Sequence, residues 1–351
     1  MNTKNLLIIT QKVDEDDDLL GSFIDWLNEF AKNFAKIYII TLAVGKYNLP
    51  ENVRVYSLGK EFSSGRLSRF LKFYFYVFKF MPRVDGVFAH MSPIFAIAAW
   101  PAAFIFRKKI ILWYLHRSLT FKLKLAEKLS YKIVTAAKES LNLKSGKIIE
   151  LGHGINFEKF KPLKKEIFNN TPVKILTVSR ISKIKNLENL LEAAALIKKN
   201  GVNFVLEIIG RPIMPGDFEY FDFLKNLASR LSISGLVKFV GFVPYSQIPQ
   251  YYQGADIFVN LAPKGGIDKA VLEAIAAGCL PLVANEVFAR YFGDYAGDLI
   301  FKYRDPQDLA EKITKLLKSD STSRISGYLR PRIIEKHNYK NLIKNIAKLY
   351  D

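Results

Sequence analysis

Short runs rich in β-branched residues alternate with helical patterns from one end of the chain to the other, and no other feature constrains the fold as tightly. Such alternation is the signature of parallel sheets joined by crossover helices, so it predicts an α/β architecture. In the first half the predicted strands are Leu6 to Ile9, Ile37 to Leu42, Val53 to Leu58, Gly86 to Ala89, Ile110 to Leu115, Lys132 to Thr135 and Lys147 to Leu151. In the second they are Val173 to Val178, Asn203 to Ile209, Val237 to Val240, Asp256 to Leu261, Leu280 to Ala284 and Asp298 to Lys302. The polar, Lys-rich stretch from Asn156 to Pro172 separates the two series and reads as an interdomain linker. Two sheets in two domains fit this pattern, with closing helices predicted over Asp305 to Leu317 and Asn338 to Tyr350.

Helical spacing sorts faces as well as elements. Phe23, Trp26, Leu27, Phe30 and Phe34 recur at intervals of three and four, so Asp25, Asn28, Glu29 and Lys32 are expected to face away. Further on, Leu67, Phe70, Leu71, Tyr74, Phe75, Phe78 and Met81 make one helical face, while Arg69, Lys72, Tyr76, Lys79 and Arg83 make another. A basic helix with aromatic bulk suits either an anionic membrane surface, through residues 66–83, or packing on the sheet with its basic side in water.

Composition narrows the function. With 351 residues, half of them hydrophobic, the chain buries a large core and is no small binding module. A net charge of +19 favours polyanionic or phosphorylated partners. One cysteine, Cys279, excludes an internal disulfide framework and points to a reducing compartment. The apolar part of residues 1–10 is too short for a signal peptide, and Pro93 to Phe106 falls short of the ~20 residues a spanning helix needs. That segment is expected to be a buried helix, and the protein to be cytoplasmic, with peripheral attachment to the inner face of the membrane.

Two segments carry the chemistry. The strand ending at Val178 is followed by Arg180 and Lys185, and a helix begins at Asn186. Cations at the carboxyl edge of a strand, before a helix N-terminus, suit a phosphate. At ~4 Å and an effective dielectric of about 20, each unit charge pair is worth roughly 4 kcal/mol before desolvation. The other segment, Pro263 to Gly278, places Gly265, Gly266, Ile267, Asp268 and Lys269 before a helix carrying Leu272 and Glu273. The glycine pair exposes backbone amides, and Glu273, set among Val271, Leu272, Ala274 and Ile275, needs a partner, either ribose hydroxyls or a structural salt bridge.

These segments resemble the donor site of family 4 of the retaining glycosyltransferases, which have the GT-B fold. Arg180 and Lys185 match the family's Arg, four residues and Lys that bind the donor diphosphate, and Glu273 matches a Glu that contacts the ribose. Gly210-Arg211-Pro212, Gly241-Phe242-Val243-Pro244 and Leu272 to Gly278 agree with the surrounding pattern. Gly265, eight positions before Glu273, stands where many members carry a further Glu on the donor sugar. Asp268 and Lys269 are similar to a recurring Gly-Ser-x-Asp-Lys variant, and Asp268 either replaces that sugar contact or caps the helix.

In the first half, Gly21 corresponds to the family's glycine-bearing loop, His116 to a His against the donor sugar, and His153 to a turn entering the linker. The run Asp14 to Asp18 reads as a solvated or substrate-orienting loop, and no metal or other cofactor is expected. The resemblance implies two Rossmann-like domains facing each other across a cleft, residues 1–160 for the acceptor and 161–335 for the donor, with a helix over 336–351 crossing back to the first. It also implies transfer of a hexose-type sugar from a nucleotide-diphosphate donor to a glycan or lipid-linked acceptor, with retention and without a carboxylate nucleophile. Rival readings are a nucleotide-sugar-binding homologue without transfer activity, such as an epimerase, and a basic nucleic-acid-binding protein. The latter is disfavoured because no nucleic-acid module is recognisable.

Overall fold

The computed structural model describes residues 3–163, 172–263 and 265–351. Residues 164–171 of the predicted linker, and Lys264, therefore lie outside the described residues. The chain divides into two compact units, one made of 1–156, 244–246 and 337–351, the other of 157–243 and 247–336.

The first unit runs β1 (Asn5–Val13), α1 (Phe23–Asn33), β2 (Lys36–Val44), β3 (Val53–Ser57), α2 (Arg66–Phe80), β4 (Gly86–His90), α3 (Pro93–Ile105), β5 (Lys109–Trp113), α4 (Phe121–Leu129), β6 (Lys132–Thr135) and β7 (Ile148–Glu150). Its seven strands are all parallel, in the order β3-β2-β1-β4-β5-β6-β7. Side chains alternate across a strand, so Leu7 and Ile9 enter one core and Leu6 and Ile8 the other. Both sets are apolar because helices cover both faces.

The second unit runs β8 (Val173–Val178), α5 (Leu187–Lys199), β9 (Phe204–Ile209), α6 (Pro215–Arg230), β10 (Val237–Gly241), α7 (Ile248–Gly254), β11 (Ile257–Asn260), α8 (Lys269–Ala276), β12 (Leu280–Val283), α9 (Ala289–Phe292), α10 (Ala296–Leu299), α11 (Pro306–Leu317) and α12 (Thr322–His337). Its parallel sheet has the order β10-β9-β8-β11-β12. The last helix, α13 (Tyr339–Lys348), belongs to the first unit. Asn338 caps it by accepting from the Lys340 amide, and Leu342, Ile343 and Ile346 join Trp26, Leu27 and Phe30 of α1 in one core.

Four expectations change. Asp25 and Glu29, predicted to face water, are buried, because α13 gives α1 a second covered flank; Glu29 pairs with Lys32 at 2.9 Å. The predicted strand Asp298 to Lys302 is instead the end of α10 followed by Ile300, which makes only an isolated bridge to Val283. The Pro93 to Phe106 helix is buried on one face only: Ala96, Ala99 and Ala103 bring α3 close to the sheet, while Phe104 and Ile105 are exposed. In α2 the residues on the sheet are Phe73, Val77 and Phe80, so the predicted apolar face from Leu67 to Phe78 looks outward and Met81, grouped with it, is buried. Among the described residues no helix is long and apolar enough to cross a membrane.

Candidate functional site

In an open parallel sheet, a crevice opens at the carboxyl edge where connections leave neighbouring strands toward opposite sides. In the second unit that point lies between β8 and β11. Arg180 and Lys185 follow β8, and the glycine pair and Asp268 follow β11, so the topology brings together the two segments singled out by sequence.

The loop after β8 is held from beneath. Ser179 donates its amide to the Ile209 carbonyl at 3.0 Å, and Ile181 to that of Arg211 at 3.2 Å. Gly210 makes this approach possible: its φ is +136°, and a Cβ there would sit 1.8 Å from the Ser179 carbonyl oxygen. Arg180 is exposed and has no ion-pair partner among the described residues. Lys183–Lys185 form a single 3-10 turn, and Asn186 adopts a left-handed conformation at φ 55° before α5 begins at Leu187. The first amide of α5, on Leu187, donates to the Tyr220 hydroxyl at 2.8 Å, and that hydroxyl donates to Glu188. The helix start expected to receive an anion thus has its leading amide occupied within the fold. Burial and the Glu188 charge push the Tyr220 hydroxyl well above its usual range.

The loop after β11 is tied to its neighbours by side chains. Asn260 closes the strand and donates to Asp268 at 3.0 Å, while the other Asp268 oxygen accepts from the Ala270 amide at 3.2 Å, capping α8. The Lys185 ammonium lies 3.3 Å from Asp268, joining the two strand ends. Burial raises the Asp268 carboxyl, but Lys185, Asn260 and the Ala270 amide outweigh it, and the group titrates below its ordinary 3.8. A carboxyl depressed in the folded state contributes stability above its unfolded pKa and loses it as pH falls through the folded value. Asp268→Asn is therefore expected to flatten the decline in stability below about pH 4, read from urea midpoints across an acid pH series. An unchanged acid limb would remove Asp268 from this role.

Around this pair, Asn285 donates to the Gly266 carbonyl at 3.1 Å, fixing the glycine loop to the end of β12. Gly265 is a different glycine from Gly210, since a Cβ there would meet only the Pro263 carbonyl at 3.7 Å. Val243, Ile267 and Leu272 are buried. Glu273 is 5% exposed and is met by Lys269 at 3.2 Å and by the Tyr252 hydroxyl at 3.4 Å. The structural partner weighed for this carboxylate is thus present, one helical turn before it. Burial foremost, then the Glu273 charge, push the Tyr252 hydroxyl far up.

In the first unit the corresponding crevice lies between β1 and β4. Thr10 within β1 and His90 at the end of β4 meet at 3.0 Å, with the His90 ring stacked on Phe23. Burial lowers His90 to about 3, so it is neutral. Met91, next along, takes a left-handed φ of 62°, a strained choice for a side chain of this size. Gly21 lies in the loop after β1, where a Cβ would come within 2.7 Å of the Glu15 carbonyl oxygen. His116 is exposed one strand over, beyond β5, beside Tyr114. His153 is buried and donates its amide to the His337 ring at 3.1 Å. In the acidic loop, Lys12 bridges Asp14 and Asp17 at 2.7 and 3.0 Å.

Sequence reasoning missed Asn260, Tyr252, Tyr220 and His90. Asn260 and His90 had a signal, being polar residues at the carboxyl ends of predicted strands. Tyr220, far along another helix, had none.

Comparison with known proteins gives the same direction. Residues 158–330 match the family model of glycosyl transferases group 1. The amylovoran biosynthesis glycosyltransferase AmsK of Erwinia amylovora is 37% identical over 139 residues, 38% of this chain and 32% of that protein. A D-inositol 3-phosphate glycosyltransferase of Corynebacterium urealyticum is 24% identical over 62% of this chain and 54% of its own length. The chain thus matches about a third to a half of these relatives. Among solved structures, HepE of Anabaena, in complex with UDP and glucose, superposes with a TM-score of 0.75 at 16% identity, covering 99% of both chains. Sucrose-phosphate synthase from Thermosynechococcus elongatus gives 0.75 at 15% identity, covering 99% of this chain and 98% of its own. At these identities the likeness is one of fold, the two-sheet GT-B type.

Proposed function

We propose, from the match of residues 158–330 to the family model of glycosyl transferases group 1, that the chain transfers a hexose-type sugar from a nucleotide-diphosphate donor to a hydroxyl of a glycan or lipid-linked acceptor, with retention of configuration. The observation that carries this reading is the convergence of Arg180, Lys185 and the capped glycine loop on the β8–β11 crevice, where an anionic ligand meets cations on rigid strand ends. UDP in the HepE structure supports a nucleotide in a fold of this kind.

In this reading Arg180 and Lys185 bind the donor diphosphate, and Lys185 exchanges its bond to Asp268 for one to a phosphate oxygen. Gly265 and Gly266 offer backbone amides, and Glu273 meets the ribose from the start of α8. The acceptor oxygen forms its bond to the anomeric carbon on the face that the diphosphate leaves. The bond from that carbon to the diphosphate oxygen breaks, the acceptor proton passes to the leaving phosphate, and nucleoside diphosphate departs. Positioning and stabilisation of the leaving charge supply the rate, with no metal required.

The test is incubation with a panel of nucleotide sugars, reading released nucleoside diphosphate with and without lipid extract as acceptor. Release from one donor class, stimulated by acceptor, is expected. No release from any donor under either condition would overturn the proposal.

A further inference from the structure

The α2 surface is unusual for a helix packed on a sheet. Its inner side, Phe73, Val77 and Phe80, is buried, yet a second apolar stripe faces outward: Leu67, Phe70, Leu71, Phe75 and Phe78 are between 42% and 71% exposed. At about 100° per residue these five span a sector of roughly 140° of the helix, and Lys72 and Lys79 fall together beside it. Arg66, Arg69, Lys72 and Lys79 are the charged residues of α2, which carries no acidic side chain. Neighbouring α3 packs on the same face of the sheet, so its outer side looks the same way. It ends in Phe104 and Ile105, 68% and 63% exposed, and is followed after Phe106 by Arg107 and Lys108.

We propose that this outer surface of α2 and the end of α3 docks the first unit onto an anionic phospholipid bilayer, with the aromatic and aliphatic stripe at the headgroup–acyl boundary and the flanking cations on lipid phosphates. The charge decides for a bilayer. An apolar ridge of this size needs a cover, and a second copy of the same chain, meeting it symmetrically, brings one all-cationic helix against another. Anionic headgroups match both features at once, and the arrangement is that of an interfacial helix with separate apolar and basic sectors. Docking goes beyond the proposed sugar transfer and is independent of it.

The test is flotation of the full chain with vesicles of phosphatidylcholine alone and of phosphatidylcholine mixed with phosphatidylglycerol. Binding to the mixed vesicles and weakening by salt are expected. With each cation near the surface worth ~1 kcal/mol, Lys72→Glu with Lys79→Glu lowers partitioning about 25-fold or more. A triple variant, Phe70→Ser, Leu71→Ser and Phe75→Ser, changes exposed positions only; it is expected to melt like the parent and to lose flotation. The proposal is overturned by absence of flotation with mixed vesicles, by flotation that neither variant alters, or by a stripe-dependent dimer in sedimentation without vesicle binding.

Discussion

Lys185→Ala is expected to lower kcat/KM for sugar transfer by about two to three orders of magnitude while leaving the second unit folded. The side chain is only about one-fifth exposed, so loss of its ion pair to Asp268 at 3.3 Å costs some stability, but Asp268 keeps Asn260 and the Ala270 amide as partners. In the proposed reaction the lysine supplies a charge facing the oxygen that becomes anionic as the sugar departs, and removal of one well-placed group of this kind costs roughly 3–4 kcal/mol of transition-state stabilisation. Steady-state kinetics beside a urea midpoint separate the two effects. An unchanged kcat/KM, or a loss that tracks unfolding, would take Lys185 out of the reaction. Asp268→Ala is the informative companion, because it frees Lys185 from its partner without removing the charge.

Gly210→Ala has the opposite character, a large effect on folding. Its backbone φ of +136° is one that L side chains rarely adopt, and the added carbon would lie 1.8 Å from the Ser179 carbonyl. Strain and displaced backbone together are expected to cost ~3 kcal/mol or more, which in a unit of this size lowers the melting temperature by about 6–12 °C. Gly265→Ala supplies the contrast, since its nearest neighbour would be 3.7 Å away and the chain should melt as before. Differential scanning calorimetry of the pair decides the matter, and equal melting of both variants would contradict this backbone account.

That contrast shows what the sequence could disclose. Motif position marked Gly210 and Gly265 alike as glycines of the donor segment, yet only the fold reveals that the ends of β8 and β9 are pinched together at Gly210, whereas the loop after β11 leaves room at Gly265. Strand positions were legible because period-two burial on both sheet faces leaves nearly continuous apolar runs, and β6 and β8 follow the predicted bounds. Helix α12 was not legible, since Gly327 and Pro331 read as breakers; the spacing of buried Ile325, Leu329 and Ile333 was the signal that outweighed them. Asp25 and Glu29 misled for a related reason. A local pattern records which face of α1 meets the sheet, and says nothing of a helix arriving from residue 339 onward to cover its flank.

The candidate site divides along the same line. Arg180, Lys185 and Asp268 were visible as residues, while the pairing of Lys185 with Asp268 depended on strand order, which puts β8 beside β11 although β9 and β10 lie between them in the chain. Asn260, which holds Asp268, and Tyr220, which occupies the first amide of α5, act through contacts across 8 and 33 positions.

The central claim is that the β8–β11 crevice binds the diphosphate of a nucleotide donor, and a thermal shift with nucleoside diphosphates tests it without requiring an acceptor. One nucleoside diphosphate should raise the melting temperature of the parent chain in a concentration-dependent way, and Lys185→Ala should remove most of that rise. No shift with any nucleoside diphosphate, or an equal shift in the Lys185→Ala chain, would contradict the assignment of this crevice.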